Sequence, residues 1–299
     1  MSQLTFAPLE TRGLIRITGP EATHFLQNLV TCDIGKVDET GAGFGALLTP
    51  QGKILFDFVI IKTEDGYLLD TPRETMADLA KRLTFYRLRA KVEIEALGED
   101  QGVVASWGGE TPSSIPGHTI TDPRLVELGN RHAGTVAEIT ASLEGPGATP
   151  ASADDYAAHR IALAVPESLA DYAFSDIFPH DADMDQLNGV SFSKGCYVGQ
   201  EVVSRMQHRS TARKRMILIS SKTPLPEPGT EITADDKPIG TLGSSSSVTG
   251  RHVGIALVRL DKAQAARDKG ASFVCADAAV DLSLPAWAEF GWPERADTD

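Results

Sequence analysis

Nine residues, Ser193-Lys194-Gly195-Cys196-Tyr197-Val198-Gly199-Gln200-Glu201, gather a cation, a thiol, two glycines, a phenol, an amide and a carboxylate. Neither a core strand nor a solvated helix has that composition. Glycine admits backbone conformations and close approaches that a side chain blocks, and a loop this varied in polar groups is more often functional than structural. The following run, Val202-Val203-Ser204-Arg205-Met206, has the apolar spacing of a short helix. Gln200 and Glu201 then occupy its first turn, where the helix dipole favours a carboxylate. Cys196 stands beside the cation Lys194 and close to that helix start, a setting that favours thiolate over thiol. A thiolate here serves as nucleophile, redox sensor or transient metal ligand. The bland alternative is an inert buried cysteine in an ordinary turn.

Three other groupings bear on chemistry. Arg205 to Arg215 holds five Lys or Arg and no acid, including Arg205 and Arg209; it reads either as an anion site or as a strand edge protected by charge. Asp57 interrupts the apolar run Ile54 to Ile61, and a carboxylate inside a strand is costly unless it is paired or functional. Asp171, Asp176, Asp181, Asp183 and Asp185 precede the nine-residue motif. They read as a solvated surface, and His180 beside Asp181 is too little to indicate a metal site.

The chain has 299 residues, of which 41% are apolar and 23% charged, as in an ordinary globular protein of two or three modules. Its net charge of -13 argues against general nucleic-acid binding, which needs a basic face. Cys32, Cys196 and Cys275 are odd in number and scattered, so no disulfide framework is expected and a reducing compartment is. No apolar run approaches the length of a membrane span. The N-terminus lacks the features of a signal or mitochondrial targeting segment, and the bacterial cytoplasm is the expected location.

The elements that must position the motif follow from periodicity. Leu14 to Thr18 alternates as a half-buried strand. Pro20 opens a helix with Phe25, Leu26, Leu29 and Val30 inward and His24 in solvent. Phe44 to Leu48 and Lys53 to Ile61 are strands joined by the turn Thr49-Pro50-Gln51-Gly52; Glu74 to Arg89 is a helix and Lys91 to Ala96 a strand. That order suits a split βαβ unit. Val103 to Trp107 and Thr135 to Ile139 read as further strands, and Ala153 to Leu163 as a helix capped by Ser152. From Met216, six short strands separated by Gly, Pro and Ser predict a small barrel. The expected fold class is α+β. The modules are 1–98, 99–212 with the motif, and the barrel at 213–290, followed by a polar tail at 291–299.

Lys194-Gly195-Cys196-Tyr197-Val198-Gly199-Gln200-Glu201 resembles the signature of the YgfZ family, folate-binding proteins related to the glycine-cleavage aminomethyltransferase and implicated in assembly or repair of iron–sulfur enzymes. Arg16 to Pro20, Phe25 to Gln27, Thr31 to Asp33, Leu48 to Lys53 and Asp122-Pro123-Arg124 extend the resemblance over most of the chain. It implies an aminomethyltransferase-like folate-binding body with a C-terminal barrel, tetrahydrofolate as ligand, iron–sulfur client or assembly proteins as partners, and a monomer. Cys196 and Lys194 are the implied reactive pair. Asp57, Tyr197, Gly199, Gln200, Glu201, Arg205 and Arg209 are the implied folate-binding set, with the arginines suited to the glutamate tail. Phe56 stands where the aminomethyltransferases carry one acid of a pair, and their Tyr-Thr-Gly-Glu segment has no counterpart. A tetrahydrofolate-dependent aminomethyltransferase or demethylase is therefore the alternative and not the leading reading.

Overall fold

The computed structural model describes residues 3–208, 213–248 and 250–293. They fall into two compact units, Met1–Tyr156 with Leu187–Glu201, and Ala157–Gln186 with Val202–Asp299.

The first unit begins with strands β1 (Thr5–Pro8) and β2 (Arg12–Thr18), then short helices α1 (Ala22–Gln27) and α2 (Ile34–Thr40). Strands β3 (Ala42–Leu48), β4 (Ile54–Lys62) and β5 (Gly66–Pro72) lead into helix α3 (Arg73–Arg87) and strand β6 (Glu93–Ala96). These strands form an antiparallel sheet in the order β3-β4-β5-β2-β6. Its central strand, β5, is buried at all seven positions, yet it is absent from the sequence-based reading. Asp70 and Pro72 break its apolar run; Asp70 is tolerated because Arg12 bonds it at 2.6 Å and Arg131 at 2.7 Å. The turn at residues 49–52 forms as expected, with the Gly52 amide donating to the Thr49 carbonyl at 2.8 Å.

A second sheet, β10-β1-β7-β9-β8, uses β7 (Gln101–Trp107), β8 (His118–Thr121), β9 (Asn130–Thr135) and β10 (Thr149–Pro150). Helix α4 (Val136–Glu144) packs on it through Ile139 and Leu143. The strand expected at Thr135 to Ile139 is therefore mostly this helix. A short apolar run cannot be told from a strand by periodicity alone, and Ile139 and Leu143 at i, i+4 settle it. Helix α5 (Ala153–Ala162) starts where expected: Ser152 Oγ accepts the Asp155 amide at 3.1 Å, and Asp155 accepts the Ser152 amide at 2.9 Å.

After helix α6 (Gln200–His208), the second unit closes a six-stranded barrel. Its strands are β11 (Lys214–Ser221), β12 (Glu231–Ala234), β13 (Lys237–Val248), β14 (Arg251–Arg259), β15 (Phe273–Cys275) and β16 (Ala278–Ser283), with α7 (Leu260–Arg267) between β14 and β15. Alternation fills the interior: β16 buries Ala278, Val280 and Leu282 and exposes the residues between, as strand pleating requires. Closure of β16 onto β11 removes free edges.

Of the five aspartates read as a solvated surface, only Asp176 is exposed. The side chains of Asp171, Asp181, Asp183 and Asp185 are buried. Asp171 accepts from Arg160 at 2.7 Å and from the Ser244 amide at 2.7 Å. Asp185 holds Arg215 at 2.5 and 3.0 Å. Arg215, counted in sequence as part of a possible anion site, is thus spent on an internal ion pair. The reason is physical: a guanidinium among aspartates repays part of the desolvation of each. Arg209 lies outside the described residues. Among those residues, no helix is long and apolar enough to cross a membrane, and no cluster of His, Cys, Asp and Glu is arranged to hold a metal ion.

Candidate functional site

The nine-residue motif is a loop running into α6, and the first unit pins it at two points, after holding the residues just before it at a third. Thr31 Oγ1 donates to the Gly189 carbonyl at 2.5 Å and accepts the Ala46 amide of β3 at 2.8 Å. The Ser191 amide donates to the Thr31 carbonyl at 2.9 Å. Lys194 then turns inward: its Nζ donates to the carbonyls of Val30 and Cys32, both at 2.7 Å.

The second point within the motif is Gly199. It adopts φ +82°, and a Cβ there would stand 2.7 Å from the Thr49 carbonyl oxygen and 3.1 Å from Gly52 Cα. The two motif segments singled out in sequence, residues 48–53 and 194–201, therefore pack on each other, and only glycine fits the contact.

These anchors set the electrostatics. Burial lowers the Lys194 ammonium to about 8, although the neighbouring Cys32 and Asp33 pull it upward. The ammonium lies 5.3 Å from the centre of the Tyr197 ring, a cation–π contact. Burial raises the Tyr197 phenol to about 12. Burial likewise pushes the Cys32 thiol up to about 12 against the pull of Lys194. Cys196, by contrast, is a free and exposed thiol.

The other residues read from sequence separate. Asp57 is buried in β4, where its carbonyl accepts from Thr71 Oγ1 at 3.3 Å. Gln200 and Glu201 take the first turn of α6, as expected. Glu201 is exposed; Arg205 is exposed and belongs to the second unit.

Beside the anchored loop, the first unit opens a cleft of about 430 Å³. Val37, Phe44 and Pro123 supply apolar wall, Asp33 and Ser191 polar groups, and Lys36 an exposed ammonium. One lining residue, Asp122, belongs to a buried chain of charges. Arg131 bonds both Asp70 and Asp122, at 2.7 and 3.2 Å. Arg124 grips Asp122 through two contacts, at 3.0 and 2.8 Å. Burial alone would raise the Asp122 carboxyl, but Arg124 and Arg131 overcome it and hold the group at about 2. Asp122-Pro123-Arg124 stood out in sequence, whereas Arg131, Asp70, Lys36 and Phe44 carried no signal beyond ordinary strand and helix positions.

Comparison with known proteins gives this geometry a family. The domain described as CAF17, C-terminal beta-barrel, matches residues 213–290. The iron–sulfur cluster assembly factor IBA57 homolog of Mycosarcoma maydis is 31% identical over 229 residues, which cover 72% of this chain and 56% of that protein. The corresponding IBA57 homolog of Coccidioides immitis is 30% identical over 303 residues, covering 85% of this chain and 71% of that protein. The chain belongs to the IBA57 family of iron–sulfur cluster assembly factors.

The assembly-factor class implied by the motif therefore stands, with IBA57 as the family shown. The solved structure of the glycine cleavage system aminomethyltransferase T from Bartonella henselae superposes with a TM-score of 0.76, covering 96% of this chain and 87% of that one at 14% identity. That likeness establishes the aminomethyltransferase-like fold with its barrel. The expected cytoplasmic location is corrected by the IBA57 relatives, which are mitochondrial proteins by name.

Proposed function

We propose that this chain supports the assembly or repair of iron–sulfur enzymes by presenting Cys196 from a rigid loop, with reduced folate bound in the adjoining cleft. The observation that carries the reading is the pairing of an exposed thiol with a buried anchor. Lys194 and Gly199 fix the loop on either side of Cys196, while the sulfur itself stays in solvent. A thiol that served packing alone would sit inside, as Cys32 and Cys275 do.

The cleft's chemistry fits a folate. Its volume falls in the range of small-molecule sites, and such sites combine apolar walls with a few polar groups. Val37, Phe44 and Pro123 suit the flat pterin, and the exposed Lys36 suits a tail carboxylate. Bound there, a reduced folate would supply one-carbon chemistry. The protein's own residues would orient the ring and pair with the tail. This assignment replaces a pocket built from Tyr197 and Asp57: the Tyr197 ring lies beneath Lys194, and Asp57 is buried within the sheet.

Calorimetric titration of the pure chain with tetrahydrofolate and its triglutamate tests the ligand. Each partly desolvated charge-assisted contact contributes on the order of 1 kcal/mol, so the triglutamate should bind more tightly, and Lys36→Ala should remove that advantage. Absence of binding, or binding unchanged in Lys36→Ala and Phe44→Ser, would refute the folate assignment. Cys196→Ser in cells lacking the protein tests the thiol separately. Loss of iron–sulfur enzyme activity at normal protein abundance is expected, and full rescue would remove Cys196 from the function.

A further inference from the structure

Helix α3 buries Leu79 and Leu83 and leaves its other side in water. Asp78, Lys81, Arg82 and Phe85 recur at i, i+3, i+4 and i+7 and so share one outward face. Phe85 is 70% exposed, and Leu88 just beyond the helix is 86% exposed. Phe56 of β4 joins this face to form a cleft of about 460 Å³ with Asp78, Lys81, Arg82 and Phe85. Leu88 holds φ +48° and ψ -103° at the end of the helix, a backbone conformation an L side chain rarely adopts. That conformation keeps an apolar side chain in solvent, where nothing in the fold needs it.

The charge here also runs against the net charge of the molecule. Residues 81–91 contain Lys81, Arg82, Arg87, Arg89 and Lys91 and no acid, in a chain of net charge -13. Lys81, Arg82, Arg89 and Lys91 are exposed around Phe85 and Leu88. Aromatic and aliphatic anchors flanked by four exposed cations, with Asp78 the one acid in the cleft lining, are the make-up of a binding hot spot with a polar rim.

We propose that this patch docks a partner protein through an apolar socket rimmed with carboxylates. A membrane surface or nucleic acid is a broad polyanion, opposed by the chain's net charge of -13. A second copy would bring the same net charge of -13 against this one. A local acidic socket on another protein matches the patch without confronting the remainder. The inference is independent of the folate assignment, because α3 contributes nothing to that cleft's named walls.

The probe is a fluorescein-labelled helical peptide carrying one leucine stripe flanked by glutamates, titrated into the full chain at low salt, with amide chemical shifts mapping the contact. Binding is expected at residues 81–91, weakened about tenfold or more by Phe85→Ser combined with Leu88→Gly, by Arg82→Glu combined with Arg89→Glu, and by raised salt. Leu88→Gly relieves the strained backbone, so this variant should melt no lower than wild type and the loss cannot be ascribed to unfolding. Equal binding of a serine-for-leucine peptide, shifts mapping elsewhere, or no binding overturns the proposal. So does preferential binding to phosphatidylserine vesicles or to a polynucleotide, or a dimer in sedimentation that the Phe85 and Leu88 changes abolish. In cells lacking the protein, full rescue of iron–sulfur enzymes by both double variants would also overturn a docking role.

Discussion

Gly199→Ala isolates the contact on which the presented loop depends. Two costs arise in the folded state. Placing an L residue at φ +82° costs about 1–2 kcal/mol. The new Cβ meets the Thr49 carbonyl at 2.7 Å and Gly52 Cα at 3.1 Å; these are backbone atoms of a hydrogen-bonded turn and cannot swing aside as a side-chain end would. Overpacking of that kind costs about 1–3 kcal/mol, which brings the total to about 2–5 kcal/mol. Gly195→Ala is the matched control. It is four residues away in the same loop, its φ is not positive, and its Cβ would meet nothing within 4 Å. Its effect should stay within about 0.5 kcal/mol. Because the chain forms two units, global unfolding need not be two-state. Hydrogen exchange of the amides at 49–53 and 194–200 is therefore the sharper assay, with urea denaturation beside it. Gly199→Ala should lose protection in both segments together while Gly195→Ala keeps it. If the two variants exchange alike, the loop is not seated on the turn as described, and the rigid presentation of Cys196 falls with it.

Two further outcomes follow from the same anchors. Iodoacetamide near neutral pH should label Cys196 first, because burial holds the Cys32 thiol at about 12 and also raises Cys275. At pH 8 a thiol of pKa about 12 is only ~10⁻⁴ thiolate; earlier labelling of Cys32 or Cys275 in the folded chain would contradict the structure. Lys194 gives a pH signature. Its folded value of about 8 lies below the ordinary 10.5, so between those values the unfolded chain holds a proton that the folded chain has released. Stability contributed by this group must then rise with pH across the window from 8 to 10.5 and level off outside it. The stability difference between wild type and Lys194→Met, measured through that range, should show the rise, and a flat difference would mean the ammonium is not desolvated.

Much of the fold was readable because its elements announce themselves locally. The barrel strands alternate and are separated by Gly, Pro and Ser, and the turn at residues 49–52 carries its own composition. The misses share a cause. β5 contains Asp70, and the segment before the motif contains five aspartates; in both, a carboxylate read locally means solvent. Their arginine partners are remote in sequence: Arg131 is 61 residues from Asp70, and Arg215 is 30 residues from Asp185. A pairing of that range leaves no periodic trace, so β5 went unread and the acidic segment was assigned to the surface, where only Asp176 lies.

The candidate site divides along the same line. Cys196, Lys194, Gly199 and Glu201 lie within eight residues of one another, and rare residue types in one loop are visible without a structure. Even there, sequence misassigned the direction of Lys194. Adjacency suggested that its ammonium serves the Cys196 sulfur, but two carbonyls at 2.7 Å draw it to Val30 and Cys32 instead. An ammonium has only donors to offer, and the carbonyls of Val30 and Cys32, in the connection between α1 and α2, satisfy it inside the fold. The cleft was invisible for the opposite reason. Lys36, Phe44, Pro123 and Ser191 come from four separated segments; Pro123 stood out only as part of Asp122-Pro123-Arg124, and nothing in the sequence joins it to the other three. What brings them together is the sheet order, with Asp122 in the cleft wall held by the buried Asp70–Arg131–Asp122–Arg124 chain. Removing Asp122 takes a shared carboxylate away from two buried guanidiniums, Arg124 and Arg131, a costly kind of loss. Asp122 lines the cleft and belongs to that network, so the candidate cleft and the stability of the first unit are tied through this side chain.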